Sequence, residues 1–99
     1  MPAANHPDAI LAELSLRGLR ELLDDVCVRR GVTPQELCGP RRTQAVAAAR
    51  HELWWLIRHH PLRCYSCSEI ARIVQRDPAS ILHGVAAHER RCRLASPQH

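Results

Sequence analysis

The stretch "EIARIVQRDPASILHGV", residues 69–85, decides the fold. It has the layout of two helices joined by a tight turn. Ala71 is small where two helices would cross closely. Asp77 precedes Pro78, and the pair reads as a helix start. The carboxylate can accept an orphan backbone N–H, and proline at the first helical position gives up no needed donor. Ile81, Leu82 and Val85 are expected to face the partner helix, with Cys92 continuing that stripe. The opposite face would carry Ala79, Ser80, His83, Ala87, Arg90 and Arg91. Small residues at the start and arginines further along suit a recognition helix, whose first turns enter a major groove while its far end nears phosphates. The competing reading is an ordinary helix pair with solvated arginines.

Working outward, the pattern stays helical. "CSEIARIVQ" puts Ile70, Ile73 and Val74 on one side, with Ser66 or Ser68 as its cap, and "LRCYS" reads as a loop. "PRRTQAVAAARHELWWLIRHH" is the longest candidate and stops at Pro61. Relative to Val46, residues Ala49, Arg50, Leu53, Leu56 and Ile57 share a face at about 100° per residue. Trp54 lies on the flank. Trp55 points away and is expected to pack under the N-terminal helix; the alternative is an exposed partner contact. "VTPQELCG" carries a capping box from Thr33 to Glu36 with Pro34 inside it, which predicts one short turn ending near Gly39. Upstream, Asp8 is a candidate cap, Gly18 divides the first apolar pattern into two helices, and Gly31 stops the second. Domain boundaries follow: a tail over 1–7, one domain over 8–93 and a tail over 94–99.

Composition agrees with an all-α class. The chain has 99 residues, 45% of them apolar, with no Phe. Leu, Ile, Val and Ala must therefore build the core, and alternation typical of strands is scarce. Net charge is +4, and every basic residue besides histidine is arginine, whose planar fork suits phosphates and base edges. A basic excess of this size points towards nucleic acid. Five cysteines, no leader-like segment and no apolar run near membrane-spanning length predict free thiols in a reducing cytoplasm, at the nucleoid if DNA is the partner.

From Leu22 to about Arg91 the chain resembles the C-terminal DNA-binding domain (domain IV) of the bacterial replication initiator DnaA. Three stretches carry the likeness. "VCVRRGVTPQELCGPRR" resembles its helix, short turn and basic loop. "AVAAARHELWWLIR" resembles its long helix. "RDPASILHGV" resembles its signature, R-D-H-[ST]-T-V-L-H-A. The resemblance implies a Trp-repressor-like helical bundle that binds double-stranded DNA. It makes Arg42 the basic-loop arginine that enters the minor groove, with Arg41 in support. Asp77 takes the signature aspartate, Ser80 a signature threonine and His83 the signature histidine. Pro78 stands where the family has a base-contacting histidine, and Ala79 where it has a threonine. Ala79 still offers a methyl to thymine but no hydroxyl. The turn "VQRD" is shorter than the usual "FGGRD", and the loop before it is longer. A related but altered site preference is expected, leaning more on phosphates and DNA shape.

Other chemistry has thinner support. Cys64-x-x-Cys67 is half a zinc site, with His59 and His60 nearby and Cys92 as a further candidate, but no second pair completes it. A redox pair is the lesser alternative, and packing or solvent exposure the expected one. His88, beside the apolar stripe, is expected to be partly buried and hydrogen-bonded rather than a ligand. Asp24, Asp25, Glu13, Glu21 and Glu36 fall on helix surfaces. No nucleophile constellation and no G-x-x-x-x-G-K loop is present, so an enzyme and an ATP motor are not expected, nor is any cofactor or metal.

The expectation is a helix-turn-helix protein that binds duplex DNA without catalysis, as a transcription regulator. Its DNA-binding residues would be Arg41, Arg42, Arg63, Arg76, Asp77, Pro78, Ala79, Ser80, His83, Arg90 and Arg91. Ala79, Ser80 and His83 would meet base edges, Asp77 a cytosine amino group, and the arginines other than Arg42 would neutralise phosphates. A module this small reads few base pairs, so a homodimer or a partner in the transcription machinery is expected to add specificity. The chain also suits the DNA-binding part of a longer activator. Two further readings are a replication-control accessory that occupies initiator sites, and an interaction module that has lost DNA binding.

Overall fold

Local signals set the helix ends. The computed structural model describes residues 6–95 and contains α1 (Pro7–Leu16), α2 (Arg20–Arg30), α3 (Pro34–Cys38), α4 (Gln44–Arg58), α5 (Cys67–Val74) and α6 (Pro78–Ala95). No strand occurs among the described residues. Gly18 and Gly31 sit at φ +73° and +67°, where a side chain would cost about 1–2 kcal/mol, and they separate α1, α2 and α3. The capping box at Thr33 and Glu36 opens α3, and Ser66 opens α5 in the same reciprocal way with Glu69. Thr43 caps α4 by accepting from the Val46 N–H at 3.3 Å. Asp77 opens α6 by accepting from the Ala79 N–H at 3.0 Å.

One start differs. α1 begins at Pro7 with His6 before it, and no side chain caps it; Asp8 lies inside the first turn instead. Proline supplies the start on its own, because its φ is already helical. The expected tails at 1–7 and 94–99 fall mostly outside the described residues. Within them, Pro7 belongs to α1, and Leu94 and Ala95 to α6.

α4 is the central helix and packs against α2, α3, α5 and α6. Val46, Ala49, Leu53, Trp54 and Ile57 are its buried apolar side chains, in one core with Ile10, Leu14, Leu19, Leu23, Val26, Ile70 and Ile81. Three expectations about this packing are corrected. Leu82 is 63% exposed, Cys92 is exposed, and Ala87 is buried. The reason is that α6 leans on α4 as well as α5. Its buried arc therefore runs through Ile81, Gly84, Val85, Ala87 and His88, and Leu82 falls outside it. Trp55 does not pack under α1. It is half-buried beside α6, donates Nε1–H to Glu89 at 3.1 Å, and lies 4.5 Å from the His59 ring and 5.5 Å from His88.

The turn between α5 and α6 is made without glycine. Gln75 takes φ +58°, and its Oε1 accepts from the His6 N–H at 2.9 Å, which helps to hold an unfavourable backbone. His88 is buried with Nε2 3.4 Å from Cys92 Sγ, and its Nδ1 has no hydrogen-bond partner among the described residues.

Sequence reading missed a buried carboxylate. Glu52 on α4 accepts from Arg29 Nη1 and, at 2.6 Å, from Arg30 Nε, tying the end of α2 to α4. Burial pushes this carboxyl up, but the hydrogen bonds from Arg29 and Arg30 outweigh burial and hold it below its ordinary value. A lowered folded pKa gives stability above the unfolded pKa that is lost as pH falls through the folded one. Glu52→Gln is therefore expected to cost about 1–2 kcal/mol at neutral pH, because both arginines remain partly solvated. In urea unfolding, the gap to the parent should close as the pH is taken below the carboxylate range. A constant gap would count against the pair.

Candidate nucleic-acid interface

The loop after α3 is held by two arginines from other elements. Arg50, on the buried face of α4, donates Nε–H to the Leu37 carbonyl at 2.7 Å and Nη2–H to the carbonyls of Glu36 and Gly39. Arg76, in the turn before α6, donates to the same Gly39 carbonyl at 3.0 Å. The loop that carries Arg41 and Arg42 is thereby fixed to both α4 and the helix-turn-helix. Burial lowers the Arg50 pKa to about 10 and also lowers that of Arg76, with the charge of Arg42 as the next cause at Arg76. Both remain cations at neutral pH.

Between this loop, α4 and the start of α6 lies an open hollow of about 440 Å³. It brings together Arg42, Arg76, Ala79, Ser80 and His83, five residues singled out from sequence. Arg50, His51 and Trp54 of α4 complete the wall with Ala47, and among the described residues no carboxylate lines it. His51 is held down at a pKa of about 4, by burial first and then by Arg91, His83, Arg50 and His88. The hollow is thus walled by guanidinium groups, a hydroxyl, two imidazoles and one indole. That chemistry suits a phosphodiester strand.

Asp77 and Pro78 line the adjoining surface with Ser68 and Arg72. Arg90 is exposed two turns beyond His83 on α6. Arg91 reaches back to α4, with Nη1 3.1 Å from His51 Nδ1. Arg41 turns towards Glu36 at 3.7 Å. Arg63 is not brought into the group. It pairs with Glu69, lies 4.5 Å over the Tyr65 ring, and borders a separate surface with Arg17 and Arg72.

Sequence reading missed Arg50, His51 and Arg72. Arg50 did leave a signal, since an arginine on an apolar helix face must find buried acceptors. His51 and Arg72 left none. Cys64 is exposed and Cys67 half-buried. Among the described residues no group of three or more His, Cys, Asp or Glu is placed to hold a metal, and no helix is long and apolar enough to cross a membrane.

A helix pair with a capped second helix, set beside a pinned basic loop, defines a helix-turn-helix DNA-binding domain. The bacterial dnaA protein helix-turn-helix family matches residues 19–87, and the chain belongs to that family. No curated protein and no solved structure matches the chain.

Proposed function

We propose that the protein is a sequence-specific transcription regulator that acts by binding double-stranded DNA, without catalysis, at the nucleoid in the cytoplasm. The observation that carries the DNA-reading part is the convergence of the basic loop and the first turns of α6 on one hollow. A strand seated there would leave Arg42 facing a minor groove and Ala79, Ser80 and His83 facing the adjacent major groove. Asp77 and Pro78 sit at the same edge. Arg76, Arg90 and Arg91 neutralise phosphates along the track, and Arg41, beside Glu36, contributes at its rim, whereas Arg63 lies on a separate surface, paired with Glu69. Pro78 and Ala79 replace two signature side chains, which favours a site different from the initiator's own. A second copy or a transcription partner supplies the remaining specificity.

Selection of bound duplexes from a random library at two salt concentrations tests this reading. Enrichment of one motif is expected, and binding without a motif would overturn sequence-specific regulation. If the motif equals the initiator's site and the two proteins compete for it, a replication-control role replaces the regulator. Arg42→Ala should weaken binding and lower the slope of log K against log salt by about one unit, since a cation held in the minor groove, and the counterion it releases, is lost. An unchanged slope would remove Arg42 from the interface.

A further inference from the structure

We propose that His51 is a further DNA-binding residue: an uncharged imidazole that donates Nε2–H to a phosphodiester oxygen in the hollow, with Arg91 as the positioning residue that sets its tautomer. This rests on the duplex-binding reading above. The argument is one of hydrogen-bond inventory. Arg91 Nη1 lies 3.1 Å from His51 Nδ1, and a guanidinium can only donate. Nδ1 must therefore accept, and the ring proton of the neutral imidazole must be on Nε2. Among the described residues Nε2–H has no acceptor, and His51 lines the hollow beside Arg42, Arg76 and Ser80.

The surroundings keep the ring uncharged. Burial and the neighbouring Arg91, His83, Arg50 and His88 all disfavour its protonated form. The ring also has close neighbours: its centroid lies 5.6 Å from that of Trp54, and its Cδ2 faces Gly84 closely enough that a β-carbon there would come within 2.7 Å. A neutral donor at a phosphate differs from a cation in one measurable way. It adds affinity but releases no counterion, so it leaves the salt slope alone. It also reads no base, so its removal weakens all sequences alike.

The test is duplex binding by fluorescence anisotropy over a salt series, with labelled duplexes of mixed sequence and of the selected site. The parent, His51→Ala, His51→Gln and Arg42→Ala are compared. His51→Ala should bind both duplexes about tenfold more weakly, as expected for a lost hydrogen bond to a charged acceptor, with the parent's slope. His51→Gln, which keeps a neutral N–H donor, should recover part of that loss. Arg42→Ala supplies the contrast, with a slope lower by about one unit. Parent affinity in His51→Ala would overturn the inference while leaving DNA binding intact. A slope lower by one unit would show a cation, and a loss confined to the selected site would show a base contact; either also overturns it. Failure of the parent itself to bind either duplex would overturn both this inference and the reading on which it rests.

Discussion

Arg50→Ala is expected to lower stability by about 3 kcal/mol and to remove most duplex affinity even under conditions where the variant stays folded. Arg50 is only 5% exposed, and its guanidinium serves the carbonyls of Glu36, Leu37 and Gly39. These carbonyls belong to the end of α3 and the residue after it, where no further helical turn supplies donors. Truncation leaves buried acceptors unmade, at about 1–3 kcal/mol each, and adds a void where the side chain lay. Relief of the cation's own burial offsets part of this, which is why the net figure stays near that of one broken buried pair. Arg50→Lys should recover little, because one ammonium cannot replace a fork that spans several carbonyls. The functional loss has a separate cause. Gly39 is the anchor shared by Arg50 and Arg76, so the loop loses the position that sets Arg42 against α6. Urea unfolding followed by circular dichroism gives the first quantity, and anisotropy at low temperature gives the second. A stability within 0.5 kcal/mol of the parent, inside the range of ordinary surface changes, would refute this account of the loop.

The dependence of the loop on Arg50 also marks where sequence reading stops. Helix ends at Thr33, Gly31, Ser66 and Asp77 are local events, settled by residues within one turn, and they were legible. The convergence of Arg42, Arg76, Ala79, Ser80 and His83 was legible in part, because the basic loop and the α6 signature were both recognisable before their meeting was seen. Partners across the fold were not legible. Trp55 reads as packing under α1 or as an exposed partner contact, and only the path of α6 over α4 puts it beside Glu89 and His88 instead. Glu52 reads as one more surface acid until α2 is known to end beside it. Leu82 looks like core by its chemistry, yet small residues at 84 and 87 draw α4 to the neighbouring flank. Arg41 and Arg63 illustrate the same limit for charge. Each stands beside a capping-box glutamate, Glu36 or Glu69, so a count of arginines overstates the free positive charge.

Gly84→Ala should destabilise the protein by about 2 kcal/mol, although alanine is the better helix former by about 1 kcal/mol. A β-carbon at this position would lie 2.5 and 2.6 Å from two carbons of the Trp54 ring and 2.7 Å from His51 Cδ2. Neither neighbour is a loose chain end. Trp54 is buried, and the His51 ring is held by Arg91. The clash must therefore be relieved by moving α6 away from α4, and overpacking of this kind costs about 1–3 kcal/mol, more where the backbone has to move. The family signature has alanine where this chain has Gly84, so the glycine is the counterpart of the indole and imidazole opposite it. Trp54→Leu in the Gly84→Ala background should accordingly restore part of the stability, with a coupling of opposite sign to the two single losses. DNA affinity should follow the same cycle, because Ser80 and His83 ride on α6 while Arg42 does not. Thermal unfolding of the four proteins measures the coupling. Additive losses would mean that α6 yields elsewhere, and that its close seat on α4 does not set the width of the DNA-binding hollow.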